Sequence, residues 1–234
     1  MKHIGIWILS CLISVSVTAQ DLNGAWVRDL DTAIQYMTIV DNYFVVSTFH
    51  VANRKFIRTR GGTAIIDSEN MSGVIEFNTD NKDEVKLSFS YDHKLKGKKL
   101  HLPAEGITKE WERVDDATSG LAGNWRITGR HQNGNMMPMN PGARKTLKIM
   151  SGTRFQWAAI NSETGEFFGT GGGTYTFKNG QYTENIEFFS RDASRVGASL
   201  TFDAEVIEGD WHHKGKSSKG DPIHEVWSRK HHKK

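Results

Sequence analysis

The chain has 234 residues and a formal net charge of +3, with acidic and basic residues mixed along its length. That mixing argues against a nucleic-acid binder, which gathers its basic residues on one face. The single cysteine is Cys11, close to the N-terminus, so disulfides, thiolate zinc sites and a cysteine nucleophile are excluded from the rest of the chain.

Met1-Lys2-His3 is followed by an apolar run over residues 4–17 and then by Val17-Thr18-Ala19 before Gln20. A basic start, a short apolar stretch and small residues before the cut predict a secretory signal peptide over residues 1–19. The expected location is therefore the periplasm or the medium. Lipid attachment at Cys11 is the competing reading, but cleavage there leaves a truncated apolar region. No stretch approaches the roughly 20 apolar residues of a membrane helix, so no membrane span is expected. The basic end, residues 229–234, reads as a solvated tail.

The rest of the chain repeats itself. Residues 44–77 align without a gap to 155–188, matching Phe56 with Phe167, Thr59 with Thr170, Gly61-Gly62-Thr63 with Gly172-Gly173-Thr174 and Ile75-Glu76-Phe77 with Ile186-Glu187-Phe188. Val85/Val196, Asp92/Asp203 and His101/His212 keep the same offset. Each copy opens with Leu-x-Gly-x-Trp (Leu22, Gly24, Trp26; Leu121, Gly123, Trp125) and closes with Trp-x-Arg (Trp111, Arg113; Trp227, Arg229). A repeat of this kind means two units of one fold. The expected units are residues 20–116 and 117–234, joined at a polar linker over 115–120.

Both copies read as strands. Phe155, Trp157 and Ala159 alternate with Arg154, Gln156 and Ala158; Val196, Ala198, Leu200 and Phe202 alternate with Gly197, Ser199, Thr201 and Asp203. Asn179-Gly180 and Glu208-Gly209 supply turns, and no window carries a helical stripe. Gly171-Gly172-Gly173 lies inside a strand and not before a helix, so it marks a bend rather than a phosphate loop. About eight runs per copy are enough to close an up-and-down meander barrel. The expected fold is all-β, with two such barrels in tandem.

Gly-x-Trp on a first strand, paired with an Arg on the last, resembles the lipocalin or calycin signature. The resemblance implies a Trp plugging the closed end of each barrel with the Arg packed across its ring. The strands are shorter than in typical lipocalins, and the chain looks more like lipocalin-like domains of secreted bacterial proteins. It speaks to fold and not to activity.

The duplication is its own control. In copy one, Met71, Gly73, Ile75 and Phe77 form one apolar face; in copy two, that face carries Tyr182, Glu184, Ile186 and Phe188. Leu100 and Leu102 correspond to Trp211 and His213, and Val46 to Trp157. Copy two thus places a carboxylate, a phenol and an imidazole on a face expected to line the barrel, beside Trp walls suited to a sugar ring. A satisfied internal network of Tyr182, Glu184 and His213 is the competing reading. Copy one should instead be packed with Phe44, Val46, Met71, Ile75, Leu87, Phe89 and Leu100.

A five-residue insertion near Lys214 and the pair Arg191 and Arg195 add cations beside the expected barrel mouth, either as a solvated loop or as a rim for an anionic ligand. Adjacent residues of a strand face opposite ways, so His212 and His213 cannot readily share a metal, and no metal or cofactor is expected. The leading expectation is an exported lyase or dehydratase acting on uronate-containing oligosaccharides. Tyr182 and His213 would be base and acid, Glu184 would tune the His, and Trp157, Trp211, Arg191 and Lys214 would hold the ligand. The alternative is a lipocalin-like binding protein without turnover; a third class, an interaction protein, finds no feature for or against it.

Overall fold

The computed structural model describes residues 21–103, 106–132, 134–217 and 219–229. The expected leader over residues 1–19, with Cys11, lies outside them. Two barrel-shaped antiparallel sheets follow one another along the chain, as a lipocalin-like tandem requires. The first runs through β1 (Gly24–Asp29), β2 (Ala33–Val40), β3 (Tyr43–His50), β4 (Phe56–Ile66), β5 (Asn70–Asn78), β6 (Ser88–Asp92), β7 (Lys94–Lys96), β8 (Lys99–His101) and β9 (Trp111–Asp115). The second holds β10 (Gly123–Gln132), β11 (Asn135–Pro138), β12 (Arg144–Met150), β13 (Arg154–Asn161), β14 (Glu166–Lys178), β15 (Gln181–Phe189), β16 (Ser199–Ile207), β17 (Asp210–Lys216) and β18 (Pro222–Arg229).

Each barrel is a meander. In the second, β10 pairs with β12 on one side and β18 on the other, which closes eight strands into a ring; β11 folds back on β10 as a hairpin outside it. The first is nearly closed: β9 returns to β1, but the single long β16 is matched by two strands, β6 and β7, separated at His93. His93 is buried and held to Asp67 and Glu69, where copy two has Ala204 within its continuous strand.

The Trp–Arg plugs form in both barrels. Arg113 lies 4.1 Å over the Trp26 ring and Arg229 4.7 Å over Trp125. Both indoles are buried and donate to the carbonyl of the leucine four residues earlier, Leu22 and Leu121. Both guanidinium groups keep partial contact with water, so each contact contributes about 0.5–1 kcal/mol. Gly24 is required here, because its φ is +132° and a Cβ would meet the carbonyl oxygen of Asp115 at 2.0 Å.

The barrels pack on each other through their outer faces. Val40, Tyr43, Val45 and Phe77 of the first meet Leu147, Ile149, Ala158 and Ile160 of the second in one buried cluster. Each such aliphatic or aromatic side chain removed from water contributes about 1.5–3 kcal/mol. Arg154 stacks on Tyr36 at 3.3 Å, Gln156 donates to Thr59, and Lys145 reaches Glu76 at 2.7 Å. Glu76 and Glu187 point out of their barrels, into this contact region rather than into water: Glu187 accepts from Arg154, and Glu76 also accepts from Tyr43.

The linker is a pinned joint. The Asp115 carboxylate accepts from Ala25 N in the first barrel and from Ser151, Gly152 and Thr153 in the second. Burial pushes its pKa up, but these bonds and that of Ala117 outweigh burial and hold it below the usual carboxylate value.

Candidate functional site

The two interiors differ as the internal comparison implies. Barrel one leaves a space of about 10 Å³, whereas barrel two holds an open-mouthed cavity of about 320 Å³. Met37, Phe44, Val46, Met71, Ile75 and Leu100 fill the first lumen. Phe89 packs against them half-buried. Leu87 does not join them. It precedes β6, follows the turn of 3₁₀-helix at Lys82–Glu84 and is 57% exposed, because the alternation begins only once the strand does.

Two arginines close the remainder. Arg28 is buried, bonds Gln35 and lies 4.1 Å over Trp111, while Arg60 borders the same small space. In copy two their counterparts are Ile127 and Gly171. Arginine at these two positions is replaced by a short side chain and by none. Barrel two is therefore hollow despite gaining Trp157, Tyr182 and Trp211. At Gly171, a Cβ would lie 2.8 Å from the Trp157 indole nitrogen and 2.9 Å from the Phe189 ring, so the glycine lets both rings lie against the strand.

Two ion pairs face each other in this lumen. Lys148 on β12 meets Glu184 on β15 at 2.7 Å, with both side chains buried. The ammonium also sits 5.0 Å from the Trp227 ring, 5.1 Å from Trp211 and 5.3 Å from Tyr182. On the other side, Glu225 on β18 bonds His213 on β17 at 3.1 Å and Arg130 on β10 at 2.6 Å. His213 stacks on Phe202 at 4.7 Å and meets Trp211 edge-on at 5.1 Å. Burial and the Lys148 charge lower the His213 pKa against the pull of Glu225, so the imidazole is neutral at pH 7. Glu225 sits well below the usual carboxylate value: burial opposes this, but the His213 bond and the Lys148 and Arg130 charges prevail. With Nε2 donating to Glu225, His213 keeps Nδ1 as a lone pair that has no partner among the described residues. The Trp227 indole N–H is likewise buried without one.

Tyr182 is fully buried behind this constellation. Its hydroxyl donates to Glu184 at 2.8 Å, and it does not border the cavity. Burial, then the Glu184 charge and hydrogen bond, raise its pKa well above 10, so it acts here as a proton donor to a carboxylate and not as a base. Trp211 is fully buried as well, packed on Tyr182 at 5.0 Å, and forms the floor rather than a wall. Glu184, His213 and Trp157 do border the cavity. Arg191 lies at the mouth, in a depression that shares Trp157, Phe189 and Ser217 with the lumen. Lys214 does not reach either space. It follows His213 on β17 and so faces outward, beside His212 and Asp203.

His212 also faces out and packs 5.9 Å from His224, which stacks on His131 at 5.5 Å. Among the described residues no group of three His, Cys, Asp or Glu is placed to hold a metal. No helix among them is long and apolar enough to cross a membrane.

Sequence reasoning missed Lys148, Glu225 and Arg130. Extending the ungapped offset upstream of Phe155 would have paired Lys148 with Met37, and Glu225 shares the inward parity of Trp227 two residues later. Residues 120–234 match the family described as a domain of unknown function (DUF4488), so it is the second barrel that resembles that family. No curated protein matches the chain.

Proposed function

We propose that this is an exported sugar-binding protein whose second barrel takes one sugar unit into its lumen, the first barrel serving as a packed scaffold. The contrast between about 320 Å³ and about 10 Å³ in two copies of one fold carries this reading. The larger volume lies at the lower end of small-molecule sites, and its lining combines an aromatic wall at Trp157 and Trp227 with convergent polar groups. The charges in the lumen are balanced, Lys148 by Glu184 and Arg130 by Glu225, which suits a polar, uncharged guest that exchanges hydrogen bonds with them. A lipid finds no wholly apolar surface there.

The His213–Glu225 pair favours a second reading, elimination at a bound uronate. A neutral imidazole fixed by a carboxylate is the usual form of a general base. It would take the proton beside the sugar carboxylate; the C–H electron pair would form the carbon–carbon double bond, and the oxygen on the next carbon would leave with the C–O pair and be protonated by the imidazolium so formed or by water. The test is calorimetric titration of the mature chain with neutral and acidic mono- and oligosaccharides, alongside the ultraviolet absorbance of any unsaturated product. Filling the lumen by Ala159→Phe should abolish binding with the circular dichroism unchanged. Binding that survives this substitution would refute the lumen as the site, and a new chromophore would decide for elimination over binding alone.

A further inference from the structure

Beside the lumen of barrel two lies a second depression of about 430 Å³ bounded by Arg191, Arg195 and Lys219, with Asp192 as its single acid. Arg195 reaches Asp192 at 3.1 Å and sits 5.4 Å over the Phe189 ring. Arg191 is exposed, lies against Gly169 and makes no ion pair or hydrogen bond among the described residues. Trp157 and Phe189, edge to face at 5.4 Å, form the wall common to this vestibule and the lumen.

The same corner of barrel one has the opposite charge pattern. At the common offset, Arg191 and Arg195 correspond to Asp80 and Glu84, and Gly169 and Gly171 to Arg58 and Arg60. In barrel one those four residues neutralise one another across the corner, Arg58 with Asp80 at 3.6 Å and Arg60 with Glu84 at 3.8 Å. The local backbone is alike in both copies, a turn of 3₁₀-helix capped by Asn81 in one and Asp192 in the other. Barrel two has thus exchanged both acids for arginines and both arginines for glycines on an unchanged frame. The result is an excess of positive charge over an open aromatic ledge.

Resting on the sugar-binding reading above, we infer that the ligand is an anionic oligosaccharide whose charged unit sits in this vestibule while a neighbouring uncharged unit enters the lumen. An anionic group driven into the lumen would meet Lys148 and Arg130 only where Glu184 and Glu225 already neutralise them, whereas at the mouth it meets surplus cations. Trp157 stands where the two units join, placed to stack on either. The shared chemistry is a negatively charged sugar, as carboxylate or as sulfate.

Isothermal titration of the mature chain with matched pairs separates the possibilities. One pair is an oligogalacturonate against its methyl ester; the other is a sulfated galactan oligosaccharide against its desulfated form. The acidic member of at least one pair should bind about tenfold or more tightly than its neutral partner, with that advantage shrinking between about 20 and 200 mM salt. Which pair shows it identifies carboxylate or sulfate. Arg191→Asp, alone and with Arg195→Glu, should remove the preference while leaving affinity for the neutral member within about twofold. Equal binding of acidic and neutral members, or a preference that survives both substitutions, overturns the vestibule while leaving the lumen reading intact. Binding of no saccharide at all overturns both.

Discussion

Replacing Lys148 by Met, the residue at the matching position 37 of barrel one, probes the lumen most sharply. The ammonium is buried, 2.7 Å from the Glu184 carboxylate and ringed by aromatic faces at 5.0–5.9 Å. Methionine fills nearly the same volume, so packing changes little. Glu184, however, is left as a buried carboxylate whose one remaining side-chain partner among the described residues is the Tyr182 hydroxyl. Stripping one partner from a buried ion pair costs about 3–5 kcal/mol. At about 2–4 °C per kcal/mol for a chain of this size, the melting temperature should fall by about 6–20 °C. The double variant Lys148→Met/Glu184→Gln removes the stranded charge and should recover most of that loss. Urea denaturation followed by tryptophan fluorescence measures all three proteins. A loss below about 1 kcal/mol in the single variant, or a double variant no better than the single, would show that the pair is not desolvated as described.

Other expectations follow from the same geometry. Asp115→Ala should cost about 2–4 kcal/mol at pH 7, because several charge-assisted bonds joining the two barrels vanish together. Since the folded carboxyl is held below its unfolded value, that contribution is present above pH about 4 and fades as pH falls through the folded pKa; a wild-type advantage as large at pH 2 as at pH 7 would contradict it. His213 has a depressed pKa, so the unfolded chain takes up its proton first and the native state loses stability as pH drops below about 6.5. An NMR titration should find its midpoint below the ordinary value of about 6.5, and a midpoint at or above that value would refute this. Tyr182→Phe should cost about 1.5–3 kcal/mol through the lost bond to Glu184; an unchanged melting curve would mean that the bond contributes nothing.

The duplication, the strand alternation and the inward face of β15 were legible because period-two patterns and matched motifs survive in a single chain. Glu184 and His213 were found by contrast with Gly73 and Leu102. Lys148 was hidden because the gap-free comparison began at Phe155, on the neighbouring strand and seven residues further along the sequence, so β12 was never compared with β2. Glu225 was hidden by the inserted residues, which shift the offset so that it pairs with Lys109. Arg28 and Arg60 were not legible as fillers of barrel one, since a cation on a strand reads as solvated until tertiary packing shows it buried. The mutual packing of the barrels left only a faint trace, the apolar residues on both faces of β3 and β13. The placing of Tyr182 and Trp211 beneath the cavity rather than along it depends on depth along the barrel axis, which alternation does not encode.

The central claim is that barrel two, and not barrel one, receives a sugar. An indole nitrogen–proton spectrum of the protein, titrated with the saccharides above, reads both barrels at once. Signals of Trp157 and Trp227 should move on binding while those of Trp26 and Trp111 stay fixed, in keeping with the hollow second lumen and the packed first one. Shifts at Trp26 or Trp111, or no shift at Trp157 and Trp227 with every saccharide, would contradict it.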